Sequence, residues 1–314
     1  MLPRARARAL TAIGLAALAA TLAALPGCSS SSAGDPPPAS PAPSADAGAI
    51  PPTDGGPAAN PDAGSTPASS GGKGGLTCAR TEDVGGGHTA CVVTVAGVEL
   101  KVVPPLAGAG PVRLGLYLHG DGAGAHKSGS ALKAMVPWIE DKRGLGVSAL
   151  APNGCAWWQK PTHDCASATS EPDAAADNTR ALAAALDAVE KAYDVRRDSA
   201  RYYGSSGGSI FLTTQWLPLE GGKRPGVFAL MCGGEVGAQP PAWDMGDAAA
   251  RAKSPLAFTY GDQDFLAADI AKTKAAFEAR RLHVTEKVLL ATAHCAFDGH
   301  GRAVEVWTEA LQAR

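Results

Sequence analysis

From residue 88 onward, short apolar runs alternate with longer stretches of helical period, and this alternation narrows the available folds more than any other feature of the chain. "PVRLGLYLHG" is nearly all apolar, as a strand covered on both faces should be. "GVSALAPNG", residues 200–204, "GVFALMCGG", "PLAFTYG" and "TEKVLLA" repeat the type. Between them fall helical stretches near 128–142, 206–217 and 266–281, a last one near 301–313, and "DAAADNTRALAAALDAVEKAY", whose alanines and leucines form one stripe. The earlier segment "TACVVTVAGVELKVVP" has no helix between its halves and predicts two strands turning near Ala96 and Gly97. Strands alternating with helices require right-handed crossovers, hence an α/β fold with a mostly parallel central sheet and helices on both faces. Ligands of such sheets gather beyond the carboxyl ends of the strands, so chemistry is to be sought just after each strand.

The chain before this region has another character. Residues 1–27 begin with Arg4, Arg6 and Arg8, continue as an uncharged apolar run from Ala9 to Leu25, and predict a secretory signal peptide too short for a membrane span. The ending Leu25-Pro26-Gly27-Cys28 resembles the lipobox of bacterial lipoproteins, which implies cleavage before Cys28, its acylation, and anchoring in a lipid bilayer. Several acyl chains hold stably, since each buried CH₂ contributes about 0.8 kcal/mol. Ser29 follows, without the aspartate associated with inner-membrane retention, so an exported protein of the outer membrane or cell surface is expected. Residues 28–75 comprise that cysteine and a tether of Ser, Ala, Gly, Pro and Asp, with ten prolines and no aromatic residue beyond position 28. Such a composition cannot bury enough apolar surface to offset the entropy of ordering it. Residues 76–314 are left as one catalytic-size domain.

A net charge of −2 offers no basic footprint for nucleic acid. Of seven cysteines, six remain after Cys28, an even number in an exported chain. Proximity and strand layout favour Cys78–Cys91, Cys155–Cys165 and Cys232–Cys295 among the fifteen pairings that six cysteines allow. No Cys-x-x-Cys occurs and the seven histidines are scattered, so neither a metal nor another cofactor is expected.

Gly204-Ser205-Ser206-Gly207-Gly208 falls where strand 200–204 passes into a helix. In the G-x-S-x-G frame the central residue is Ser206. A nucleophile projecting from a sharp strand-to-helix turn needs neighbours without bulk, because a Cβ two residues away on either side would collide with the adjoining elements. The Walker pattern, which also sets glycine before a helix, is absent. Serine needs a base and the base an orienting acid, in the chain order Ser, Asp/Glu, His for this architecture. After "PLAFTY" comes Gly261-Asp262-Gln263-Asp264, and after "KVLLATA" comes His294. Asp264, three past Gly261, is the expected acid with Asp262 as the alternative. His294 is the expected base, with His300 competing from the start of the last helix. A Cys232–Cys295 bridge would hold the loop beside that imidazole. Donors for a developing oxyanion are expected from the N–H of Gly207 and, in "LHGDGAGAH", that of Asp121, with Gly122 as the alternative. His119 is expected to pack beneath that loop.

Taken together, "LYLHGDGAG", "AYDVRRDSARYYGSSGGS", "YGDQD" and "TAHC" resemble secreted α/β-hydrolases of the feruloyl esterase and polyhydroxybutyrate depolymerase-like group. The resemblance implies that Ser206, Asp264 and His294 form a catalytic triad. Two departures stand out: Ser205 lies where those enzymes vary, and Ala291-Thr292-Ala293 replaces the usual glycine-rich lead to the histidine. Trp157 and Trp158, inside "PNGCAWWQKPTHDC", cannot both point inward from a strand, so one of them is a candidate to line the cleft for an aromatic acyl group or sugar. The expected function is a membrane-anchored serine esterase acting on small or polymeric carboxylic esters. A serine peptidase on the same fold, or a non-catalytic binding lipoprotein, are the alternatives.

Overall fold

The computed structural model describes residues 69–106, 110–142, 144–160, 172–237 and 246–312, all within the compact unit Asp62–Arg314. The signal peptide, Cys28, most of the tether and Cys165 lie outside the described residues. Among the described residues, no helix is long and apolar enough to cross a membrane.

Nine strands form one sheet: β1 (Arg80–Gly85), β2 (His88–Val95), β3 (Val98–Val103), β4 (Arg113–Leu118), β5 (Gly144–Leu150), β6 (Ala200–Ser205), β7 (Gly226–Met231), β8 (Leu256–Gln263) and β9 (Val284–Ala293). Their spatial order is β1-β2-β3-β5-β4-β6-β7-β8-β9. The first four of these are joined by antiparallel pairings, and from β5 to β9 every pairing is parallel. β1 escapes the periodicity argument because "RTEDVG" is charged and exposed at the sheet edge, without an apolar face to betray it.

The helices are α1 (Gly124–Lys127), α2 (Ser130–Lys142), α3 (Pro172–Ala192), α4 (Gly207–Phe211), α5 (Leu217–Glu220), α6 (Ala248–Ala252), α7 (Ala267–Ala279) and α8 (Gly299–Gln312). The helix expected over 206–217 is interrupted by a π-helical turn at Leu212–Trp216 between α4 and α5. Two apolar layers sandwich the sheet, and strand alternation assigns residues to them. Leu116, Tyr202, Phe228 and Leu230 pack with Leu186 and Val189 of α3 and Phe277 of α7. Tyr117, Tyr203, Ala229 and Met231 face the other way, against Leu132 and Trp138 of α2 and Trp307 of α8.

Residues 69–75, which composition assigns to the tether, run along the C-terminal end of α3 instead. Ser70 N–H donates to Val195 O and Gly75 N–H to Ala192 O. Gly72 lies so close that a Cβ there would stand 2.3 Å from Glu190 O. The Cys78–Cys91 bridge ties the chain just before β1 to β2.

Strand order reverses between β5 and β6, on either side of β4. Such a reversal opens a crevice at the carboxyl ends of the strands. Two buried histidines underlie it. His119, directly after β4, bonds Gly120 O through Nδ1 at 2.7 Å and accepts from Ala151 N–H at Nε2 at 3.0 Å. His126 of α1 reaches Ser148 Oγ at 2.8 Å and Glu99 Oε1 at 3.3 Å. Burial, the dominant cause, lowers both from 6.5 to about 4. Their folded-state values lie below the unfolded one, so the stability they confer is present above pH 6.5 and is lost as pH falls towards 4. Each ring accounts for on the order of 3 kcal/mol in that window. Chemical denaturation at pH 7 and 4.5 is expected to show a steep loss, shallower by about one proton in His126→Gln. Equal pH slopes in the two proteins would contradict it.

Candidate active site

β4 and β6 are neighbours, with Leu118 opposite Gly204, so the residues that follow them emerge side by side. Ser206 stands between β6 and α4 at φ 49° and ψ −116°, a conformation that L-residues rarely adopt and that costs on the order of 1–3 kcal/mol. Its N–H donates to Met231 O at 2.9 Å, and its carbonyl accepts from Ile210 N–H at 3.0 Å. The glycines around it are sterically required. A Cβ on Gly204 would sit 2.6 Å from Ser209 N, one on Gly208 2.2 Å from Leu118 O, and one on Gly233 2.5 Å from Ser206 O.

The expected acid and base both converge on this serine. His294 Nε2 lies 2.9 Å from Ser206 Oγ, and its Nδ1 lies 2.8 Å from Asp264 Oδ1. Asp264 is buried directly after β8, and Oδ1 also accepts from Leu266 N–H at 2.9 Å. The strand runs two residues past Gly261, so the spacing argument for Asp264 placed the strand end too early. The alternatives have other partners. Asp262 is exposed and accepts from Thr292 N–H at 3.2 Å, beside the irregularity in the β8–β9 pairing. His300 sits in α8 between Tyr203 Oη, 2.8 Å away, and Ser130 Oγ, 3.3 Å away.

The Cys232–Cys295 pair joins the end of β7 to the residue after His294. Both cysteines have positive φ, 44° and 53°, and Cys295 Sγ lies 3.6 Å from His294 Nε2. Cys232, Cys295 and His294 offer three ligand atoms close together, but the first two form this bridge and the third faces Ser206, so they do not fit a resident metal. The expected Cys155–Cys165 pairing lies outside the described residues, as Cys165 does.

The two residues expected to supply the oxyanion donors adjoin. A Cβ on Gly207 would lie 3.6 Å from Asp121 N. The Gly207 N–H opens α4 and belongs to a first turn without intrahelical acceptors. Gly122, the alternative donor, is engaged, since its N–H donates to Cys155 O at 3.0 Å. The Asp121 N–H has no acceptor among the described residues. Asp121 lines the cleft with Ser206, and Gly207 follows that serine directly at the start of α4.

Trp157 does not line the cleft. It is wholly buried between His119 and Phe211, at ring separations of 5.5 and 5.0 Å, and belongs to the core. Trp158 is half-buried and donates its indole N–H to Asp121 Oδ1 at 3.1 Å. Phe265, between the acid and α7, escaped the sequence argument. It is 74% exposed and lies 4.3 Å from the His294 ring at the cleft wall. A large aromatic next to a turn carboxylate is the sole sequence sign of it.

No protein-family model matches the chain, and no curated protein does. Solved structures match in fold. A carboxylesterase of Bacillus cereus superposes with a TM-score of 0.52 at 16% identity, over 68% of this chain and 94% of that one. Est1E from Butyrivibrio proteoclasticus gives 0.46 at 13% identity, over 71% and 98% of the two chains. Esterase PE8 gives 0.49 at 17%, over 69% and 99%. The mostly parallel sheet, its helices and the likeness to the first of these establish the α/β-hydrolase fold for this chain.

Proposed function

We propose that the protein is a serine esterase that hydrolyses carboxylic esters through an acyl-serine intermediate. The observation that carries this reading is the continuous line from Ser206 Oγ through His294 to Asp264, with links of 2.9 and 2.8 Å. His294 Nε2 takes the Ser206 proton as Oγ attacks the ester carbonyl, and the bond to Asp264 steadies the imidazolium that forms. The negative charge on the carbonyl oxygen falls between the Gly207 and Asp121 N–H groups. Collapse expels the alcohol, which takes its proton from His294. Water then enters by the same route, breaks the acyl-serine bond and releases the acid. The feruloyl esterase and polyhydroxybutyrate depolymerase-like group is the subfamily proposed, on the quoted motifs. The exposed ring of Phe265 beside His294 supports an organic group stacked at the cleft mouth.

The protein is also proposed to be exported and held at the outer membrane or cell surface by acylated Cys28. The support is the apolar run before Leu25-Pro26-Gly27-Cys28 and the proline-rich stretch after it.

A fluorophosphonate probe is expected to label the wild type at Ser206 and to leave Ser206→Ala unlabelled. With p-nitrophenyl esters, kcat is expected to fall by about 10⁴-fold or more in Ser206→Ala and His294→Ala, and by about 10⁴-fold in Asp264→Asn. Labelling at another serine, or near-normal turnover in either alanine variant, would overturn the assignment. For the anchor, cells fed a radiolabelled fatty acid are expected to acylate the wild type and not Cys28→Ser. Equal incorporation would refute it.

A further inference from the structure

The Asp121 side chain has no role in the mechanism above, yet it lies where a negative charge is least welcome. A Cβ on Gly207 would come within 2.3 Å of Asp121 Oδ1, so the carboxyl group stands against the residue expected to give one of the oxyanion donors. Asp121 lines the cleft together with Ser206, His294 and Phe265, and the residue keeps an exposed face. Its one hydrogen-bond donor among the described residues is the Trp158 indole, at Oδ1. No lysine or arginine among the described residues pairs with it. The nearby Lys127 donates its ammonium to Gly122 O at 3.0 Å instead. A carboxylate in such a place opposes the charge that develops on a neutral ester; the His294 imidazolium formed in the same step, which also interacts with Asp121, offsets part of this, and a cation arriving with the substrate would offset the rest.

We propose that Asp121 selects esters that carry a cationic ammonium group within a few bonds of the scissile carbonyl. The inference rests on the esterase reading and narrows its substrate class. Oδ2, left open by Trp158, accepts the cation, and the exposed Phe265 ring across the cleft offers it an aromatic face. With the cation in place the pair is neutral, and the two N–H donors act on the oxyanion without opposition. The indole N–H keeps the carboxyl turned into the cleft. Partial desolvation, which raises the Asp121 pKa, sharpens the demand for a compensating charge.

Isosteric ester pairs test this on the wild type alone. Acetylcholine and neohexyl acetate differ by nitrogen for carbon in the alcohol. The ethyl ester of γ-trimethylammonio-butyrate and its all-carbon isostere place the same change in the acyl group. At least one cationic member is expected to show a kcat/KM about tenfold or more above its isostere, the order that coulombic attraction to a carboxylate together with a cation–π contact provides. In Asp121→Asn, which keeps the backbone donor, that ratio is expected to fall to within about twofold, whatever the absolute rates. A wild-type ratio near unity in both pairs, or a ratio unchanged in Asp121→Asn, overturns the proposal. If Ser206 still reacts with the fluorophosphonate in that event, the esterase reading survives it. If Ser206 is inert, both fall together.

Discussion

The site depends on one strained residue. Ser206 occupies a backbone conformation that costs free energy, and it keeps that conformation because the surroundings leave the turn no room to relax. Gly208 presses against the carbonyls of Leu118 and His119, Gly204 against the backbone of Ser209, and Gly233 against Ser206 O. Each contact is closer than a side chain could tolerate. The same crowding that strains the serine also seats its turn on the end of β4. The loop after β4, with its expected donor, is thereby brought to the hydroxyl without a separate device. His119 continues this arrangement below the surface by fixing the Gly120 carbonyl on one side and the Ala151 N–H on the other.

The imidazole is supplied from the far side of the site by a different means. β9 is an edge strand, mostly exposed, and its pairing with β8 shifts near Gly261 and Gln263. An edge strand alone would hold His294 loosely. Three restraints offset this: the bond to buried Asp264, the contact with Phe265, and the bridge from Cys295 to Cys232 at the end of β7. Because β7 also accepts the Ser206 N–H at Met231 O, one strand end is tied to both Ser206 and the residue beside His294.

Much of this was legible in the sequence where steric demand leaves a compositional mark. Buried parallel strands are mostly apolar, so β4, β6 and β7 could be read directly, although β6 also buries Arg201. The crowded turn admits only small residues, which made Gly204 through Gly208 conspicuous. β1 left no such mark, because it is held by backbone pairing and by ion pairs from Arg80 and Glu82 to β3, with Val84 as its one buried side chain. The adjacent tryptophans were ambiguous for a related reason: their types fit core and cleft equally, and only the turn geometry sends Trp157 inward and Trp158 towards Asp121. Composition likewise gave no hint that residues 69–75 follow α3, since their contacts are made by backbone groups and by the hydroxyls of Ser69 and Ser70, with no apolar side chain to mark them. Phe265 and the Asp121 carboxyl were illegible because their significance lies in which distant residues they face.

The central claim is that these three side chains act together to move an acyl group onto Ser206. It is tested most directly by quenching the protein in acid during incubation with a slowly deacylating ester and mapping the added mass by peptide sequencing. The account predicts the acyl mass within the tryptic peptide Tyr202–Lys223, localised to Ser206 rather than Ser205 or Ser209. Sustained turnover with the acyl group on another residue, or with no acylated peptide at all, would contradict it.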